Sequence, residues 1–311
     1  MVEPDAPSRR GRASGGGADD RDRDRPRRGG RHRGSGDERF PATIAALGAL
    51  ARDDARVSAS VIDTASGRAL LAVDERVALP IATLGRLLLL VEVAARLEDG
   101  GFHGERLQRM ARDAAAGPGL WQFMQEPTMQ VADLATLVGA TADAWASNAL
   151  LAMVGLDAVR TRAEALGMDR TAVLDRNRDR RGPDDAPDTA VGSTAELSWL
   201  MRGLALGEVV DESTSNRVLG WLSLASDFAG VAGSFGLDPF AHRDMAHGLQ
   251  AVAATGSAAG VRAEAGVLRG PSRSVSYSVT VAYDDDGLQR RLAVGEALRA
   301  LGAELLDAVH G

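Results

Sequence analysis

The sequence predicts an α+β fold: a five-stranded antiparallel sheet with the terminal helices on one face, and an inserted all-helical lobe. Three observations predict it. Alternating, strand-like segments fall in two clusters, residues 57–73 and 249–283. The stretch between them, 106–228, reads as helical. Segments of helical period open and close the folded part of the chain, so the outer pieces make one sheet-and-helix layer pair.

The elements follow in order. "FPATIAALGALAR" from Phe40 has helical period and ends in charge. "VSASVID" from Val57 alternates and is rich in β-branched residues, "TASG" from Thr64 turns, and "RALLAV" from Arg68 returns as the second strand of a hairpin. "LPIATLGRLLLLVEVAARLEDG" from Leu79 is a long apolar helix after a short loop, with Gly100 positioned to end it. Turns at Gly117 and Gly167 divide the helical stretch, and a polar loop runs from Arg176. Ser193 stands three residues before Glu196, the spacing of a capping box, and another helix starts at Ser213. Three strands begin near Leu249, Gly260 and Val275, and a final amphipathic helix spans about 288–309. Trp121, Trp145, Trp199 and Trp221 all lie in helical patterns and are expected in the core, with Trp145 also expected to fill space in a cleft.

This order divides the chain into a charged tail, 1–39, and one domain, 40–311. Its sheet lobe is 40–80 with 230–311, and its helical lobe is 81–229. The cleft between two such lobes is where a ligand is expected.

Composition narrows the chemistry. There is no cysteine, which excludes disulfides and thiol nucleophiles. There is no lysine either, so every cation other than histidine and the amino terminus is an arginine that stays protonated and cannot act as a base. The net charge of −7 argues against a dedicated nucleic-acid binder. The tail's Arg, Asp, Gly and Ser read as disordered, and its twin Arg9–Arg10 lacks the apolar region of an export signal. No apolar run approaches the roughly 20 residues of a membrane span. A cytoplasmic location is therefore expected, with no membrane and no nucleic acid as partner. His103, and His242 and His247 around Asp244, lack a standard ligand spacing and read as loop histidines, so neither a metal nor a cofactor is expected.

The element order, "SVIDTASGRALLAVDE", "GPGLWQFM…TADAWASNALL", "DTAVGSTAELSWLM" and "AATGSAAGVRAEAGVL" together resemble the class A β-lactamases and the penicillin-binding-protein-like serine hydrolases over about residues 40–310. In that family Ser-x-x-Lys, Ser-Asp-Asn and Lys-Thr-Gly carry the acyl-transfer chemistry, and a glutamate on the Ω-loop positions water. The resemblance places the first motif on Thr83-Leu84-Gly85-Arg86, the second on Ala142-Asp143-Ala144 and the third on Ala254-Thr255-Gly256. Arg178 or Arg180 takes the glutamate's place, with Asp179 between them. Thr83 keeps a hydroxyl that β-branching crowds, and Arg86 cannot accept its proton. The resemblance thus implies a homologue degraded at its catalytic motifs, with Thr83, Arg86 and Asp143 as vestiges and Thr255, Gly256 and Ser257 as ligand-binding positions. The expected function is binding of a small molecule or protein; the alternative is a weak or divergent hydrolase using Thr83. A structural ion pair between Arg86 and Asp143 is expected where the catalytic network would be.

Overall fold

A computed structural model describes residues 40–109, 117–239 and 247–311. His242 and Asp244, and the tail with His32, lie outside the described residues. Helix α1 (Pro41–Arg52) leads into β1 (Arg56–Asp63), β2 (Ala69–Val73) and a two-residue β3 (Leu79–Pro80). Then come α2 (Arg86–Glu98), β4 (Arg106–Gln108), β5 (Thr128–Gln130), α3 (Val131–Thr141), α4 (Ala144–Val154) and α5 (Leu156–Ala165). Next are β6 (Ala172–Val173), β7 (Ala190–Gly192), α6 (Thr194–Leu206) and α7 (Glu212–Leu222). Strands β8 (Gln250–Ala258), β9 (Val261–Arg269) and β10 (Ser274–Ala282) and helix α8 (Leu288–His310) complete the domain.

The main sheet has the order β2-β1-β10-β9-β8 and every pairing is antiparallel, as the sequence predicts. Because side chains alternate across a strand, β1 divides its residues between two cores. Val57, Ala59 and Val61 pack with Phe40, Leu47, Tyr277, Leu298 and Leu301, the core shared with α1 and α8. Ser58 and Ser60 face the other way and are buried too. Buried hydroxyls need partners, and α6 supplies them: Ser58 Oγ lies 2.6 Å from Thr194 Oγ1, and Ser198 Oγ donates to Ser60 Oγ at 2.9 Å.

The second core is built around α2. Eleven of its thirteen residues are buried, including Arg86 and Glu92, as suits a helix apolar on nearly every side. Glu92 is neutralised by two cations: Arg96 Nε at 2.6 Å and Arg162 Nε at 2.9 Å.

The helical stretch also holds strands. β4 pairs with β5, and β7 pairs with both β3 and β6. Strands of two or three residues are too short for a period-two pattern to show in sequence. The expected capping box is half formed. Ser193 Oγ accepts from the Glu196 N–H at 3.3 Å, but the Glu196 carboxylate accepts from the N–H groups of Asp169 and Arg170 instead. Trp199 is not a core residue: it is 41% exposed on α6, while Trp121, Trp145 and Trp221 are buried.

Candidate functional site

The chain enters α2 through a tight 3₁₀ turn over Ala82–Gly85, with Ala82 in the left-handed region at φ +48°. Gly85 is required here, because a Cβ would stand 2.4 Å from the Ala190 Cβ. The turn holds Thr83 at the wall of a cleft of 550 Å³. Thr83, Arg86, Thr255 and Ser257 line this cleft, with Asp227 at its rim. Leu120 and Phe123 also line it, 49% and 74% exposed. The Thr83 Oγ1 accepts from the Ser257 N–H at 3.4 Å, which leaves the hydroxyl proton free to be donated.

Arg86 is only 7% exposed. Its Nη1 donates to the carbonyls of Thr83 (3.2 Å) and Thr255, and its Nε is sealed from solvent without an acceptor. Burial pulls its pKa down to about 10, and the charge of Asp227 partly offsets this. The guanidinium is therefore still protonated at neutral pH, and it cannot take a proton from Thr83.

The expected ion pair between Arg86 and Asp143 is not formed. Asp143 is fully buried and caps the N-terminus of α4, accepting from the Trp145 N–H (3.0 Å) and the Ala146 N–H (2.9 Å). A third N–H, from Trp121, reaches its other oxygen at 2.9 Å. A carboxylate at a helix N-cap with three backbone donors has its charge satisfied without a cation. Gly119 is glycine for the same reason: a Cβ there would stand 2.6 Å from Asp143 Oδ1.

Among the expected ligand-binding positions, Thr255 and Ser257 line the cleft but Gly256 does not. A Cβ on Gly256 would lie 2.2 Å from the Ile81 carbonyl oxygen, so this glycine lets β8 close on the Thr83 turn. Trp145 does not fill the cleft either: it packs in the α2 core and donates from Nε1 to the Gly117 carbonyl at 3.0 Å. Asp179 and Arg180 are exposed on the polar loop.

The carboxylate that the loop brings toward Thr83 is Asp175, which sequence reasoning missed. It lines a void of 20 Å³ with Thr83, Arg86 and Asn177. Burial raises its pKa, but hydrogen bonds from Arg178, the Arg176 N–H and Arg181 outweigh this and hold it below the usual carboxylate range. It is a poor base. Leu120, Phe123 and Asp227 were missed as well. The signal available for Phe123 was an aromatic residue just after the Gly-Pro-Gly turn. His103 is exposed, and no cluster of three or more metal-binding side chains occurs among the described residues.

Beside the cleft, Glu264 on β9 faces a second cavity of 330 Å³ that shares Thr255, Ser257 and Asp227 with it. The carboxylate is 1% exposed and accepts from the Val231 N–H (2.8 Å), the Ala232 N–H (2.9 Å) and the Tyr277 hydroxyl (2.8 Å). Burial raises its pKa to about 7 despite these donors.

The profile of the beta-lactamase enzyme family matches residues 40–309. The chain belongs to that family. A beta-lactamase from Sphaerobacter thermophilus superposes with a TM-score of 0.74 at 19% identity, over 87% of this chain and 97% of the other. A beta lactamase from Xanthomonas campestris gives 0.71 at 17%, over 88% and 99%. The protein PBP-A gives 0.69 at 16%, over 86% and 96%. Identities this low establish the β-lactamase fold alone. No curated protein matches the chain. Among the described residues, no helix is long and apolar enough to cross a membrane.

Proposed function

We propose that this β-lactamase-family chain binds a ligand in its cleft without acyl-enzyme catalysis, and that it does so in the cytoplasm. The observation that carries the reading is Arg86. A group activating the Thr83 hydroxyl must accept its proton, and the side chain three residues on, at the first position of α2, is a guanidinium that stays protonated. Asp175, the nearby carboxylate, is held ionised by two arginines, which removes its basicity. Ser257 N–H reaches the Thr83 hydroxyl, and the cleft volume falls within the usual range for ligand sites. These observations favour binding over proton transfer from Thr83.

A mutant of PBP-A forms an acyl-enzyme with penicillin G, which sets the test. The chain is incubated with a fluorescent penicillin and with nitrocefin. The expected outcome is no covalent adduct and no saturable turnover. Loss of nucleophile and base leaves roughly 10³–10⁴-fold acceleration over water in a serine hydrolase, too little to register as turnover. The competing reading, weak hydrolysis through Thr83, draws on the hydroxyl's place in the cleft. Turnover that Thr83→Val abolishes would establish it.

A further inference from the structure

A buried cation without a counter-ion is costly, and proteins pair such groups or neutralise them. The other buried charges here obey that rule: Glu92 has two arginines, while Asp143 and Glu264 each have three donors. Arg86 does not. Among the described residues it bonds only to neutral carbonyls through Nη1, and the charge of Asp227 acts on it without forming a salt bridge. The side chain also lines the open cleft. Two hydroxyls that can donate, Thr83 and Thr255, line the cleft with it, as do the exposed apolar side chains of Leu120 and Phe123.

We infer that the cleft takes a small monocarboxylate with an apolar tail: the carboxylate sits against Arg86, Thr83 and Thr255, and the tail lies under Leu120 and Phe123. This rests on the non-catalytic binding reading and names the ligand's chemistry. A single negative charge fits better than a dianion. One guanidinium with two hydroxyls offers one full positive charge, and Asp227 at the rim repels a second negative charge. Exposed leucine and phenylalanine beside a polar floor are the combination that recognises an acyl or aryl group.

The test is calorimetric titration of the full chain at neutral pH with octanoate, octanamide and acetate. Octanoate is expected to bind at least tenfold more tightly than octanamide, which keeps the tail and loses the charge. It is also expected to bind at least tenfold more tightly than acetate, which keeps the charge and loses the tail. Arg86→Met should abolish the preference for octanoate over octanamide, Phe123→Ala should erode the preference over acetate, and Asp227→Asn should tighten octanoate binding severalfold. If Arg86→Met does not fold, the comparison of the three probes on the unaltered chain decides. Equal binding of octanoate and octanamide overturns the inference while leaving a ligand-binding cleft in place. Absence of octanoate binding also overturns it. Nitrocefin turnover abolished by Thr83→Val overturns the non-catalytic reading instead, and the octanoate preference is read independently of it.

Discussion

Two buried charges flank strand β8, and they are treated in opposite ways. Glu264, under the segment that begins at Val231, is held by two backbone N–H groups and a tyrosine hydroxyl. Gly230 is shaped to it, since a Cβ there would come within 2.2 Å of Oε2. Arg86, at the cleft, has two carbonyls on one nitrogen and a sealed Nε with no acceptor. Where a charge belongs to the scaffold, the surrounding backbone is built around it. Where it lines the cleft, its satisfaction is incomplete, with Nε left without an acceptor.

The comparison breaks most easily at Asp143, a scaffold charge next in sequence to the cleft-lining Ala142. Asp143→Leu leaves three N–H groups without their acceptor and removes an N-cap, for an expected loss of about 3–5 kcal/mol. At about 2–4 °C per kcal/mol for a domain of this size, thermal melting should fall by several degrees or more. Because Asp143 and Arg86 share no bond, the Arg86→Met, Asp143→Leu double mutant should be additive within about 0.5 kcal/mol. A coupling of several kcal/mol would show that the two charges pair in solution and would undo the contrast.

The next largest effect belongs to Glu264, and its sign is unusual. Its pKa in the folded chain is about 7, above the ordinary 4.5. The folded state therefore binds more protons than the unfolded state between those values. The group's contribution is fully present below about pH 4.5, declines as pH rises toward 7, and levels off above it. The span is about 3 kcal/mol. Urea unfolding at pH 5, 6, 7 and 8 should show this decline, and Glu264→Gln should flatten it. Stability that instead rises with pH across this window, and does so through Glu264, would mean that the three donors outweigh burial.

Much of this architecture was legible in the sequence because it rests on period. The hairpin at 57–73, the three late strands and both terminal helices announce themselves by alternation or helical spacing. The cleft was legible only as positions brought by resemblance. Thr83, Arg86, Thr255 and Ser257 do meet there, but their bonding was not foreseeable. Asp143 turned to backbone N–H groups that have no identity in a sequence, and Gly256 serves a chain-to-chain approach rather than a ligand. The short strands β4 to β7 carry too few residues to show a pattern. Asp175 was hidden for a different reason: its role depends on how the polar loop folds back over Thr83, which no local spacing encodes.

The smallest expected effect tests the cleft's mouth against the scaffold directly beneath it. Trp121 and Phe123 are two residues apart on one 3₁₀ turn, yet Trp121 is fully buried and Phe123 is 74% exposed. Trp121 belongs to the scaffold: its N–H holds Asp143 and its Nε1 donates to the Glu126 carbonyl at 3.2 Å. Phe123 has left most of its ring in water, which contributes little to folding. Phe123→Ala should therefore shift the melting temperature by no more than about a degree, within the roughly 0.5 kcal/mol typical of surface changes. A scanning-calorimetry shift of several degrees would mean that the ring closes onto the cleft in solution and belongs to the scaffold. A negligible shift means the exposed ring is not there for stability, the outcome expected of a side chain that only lines the cleft.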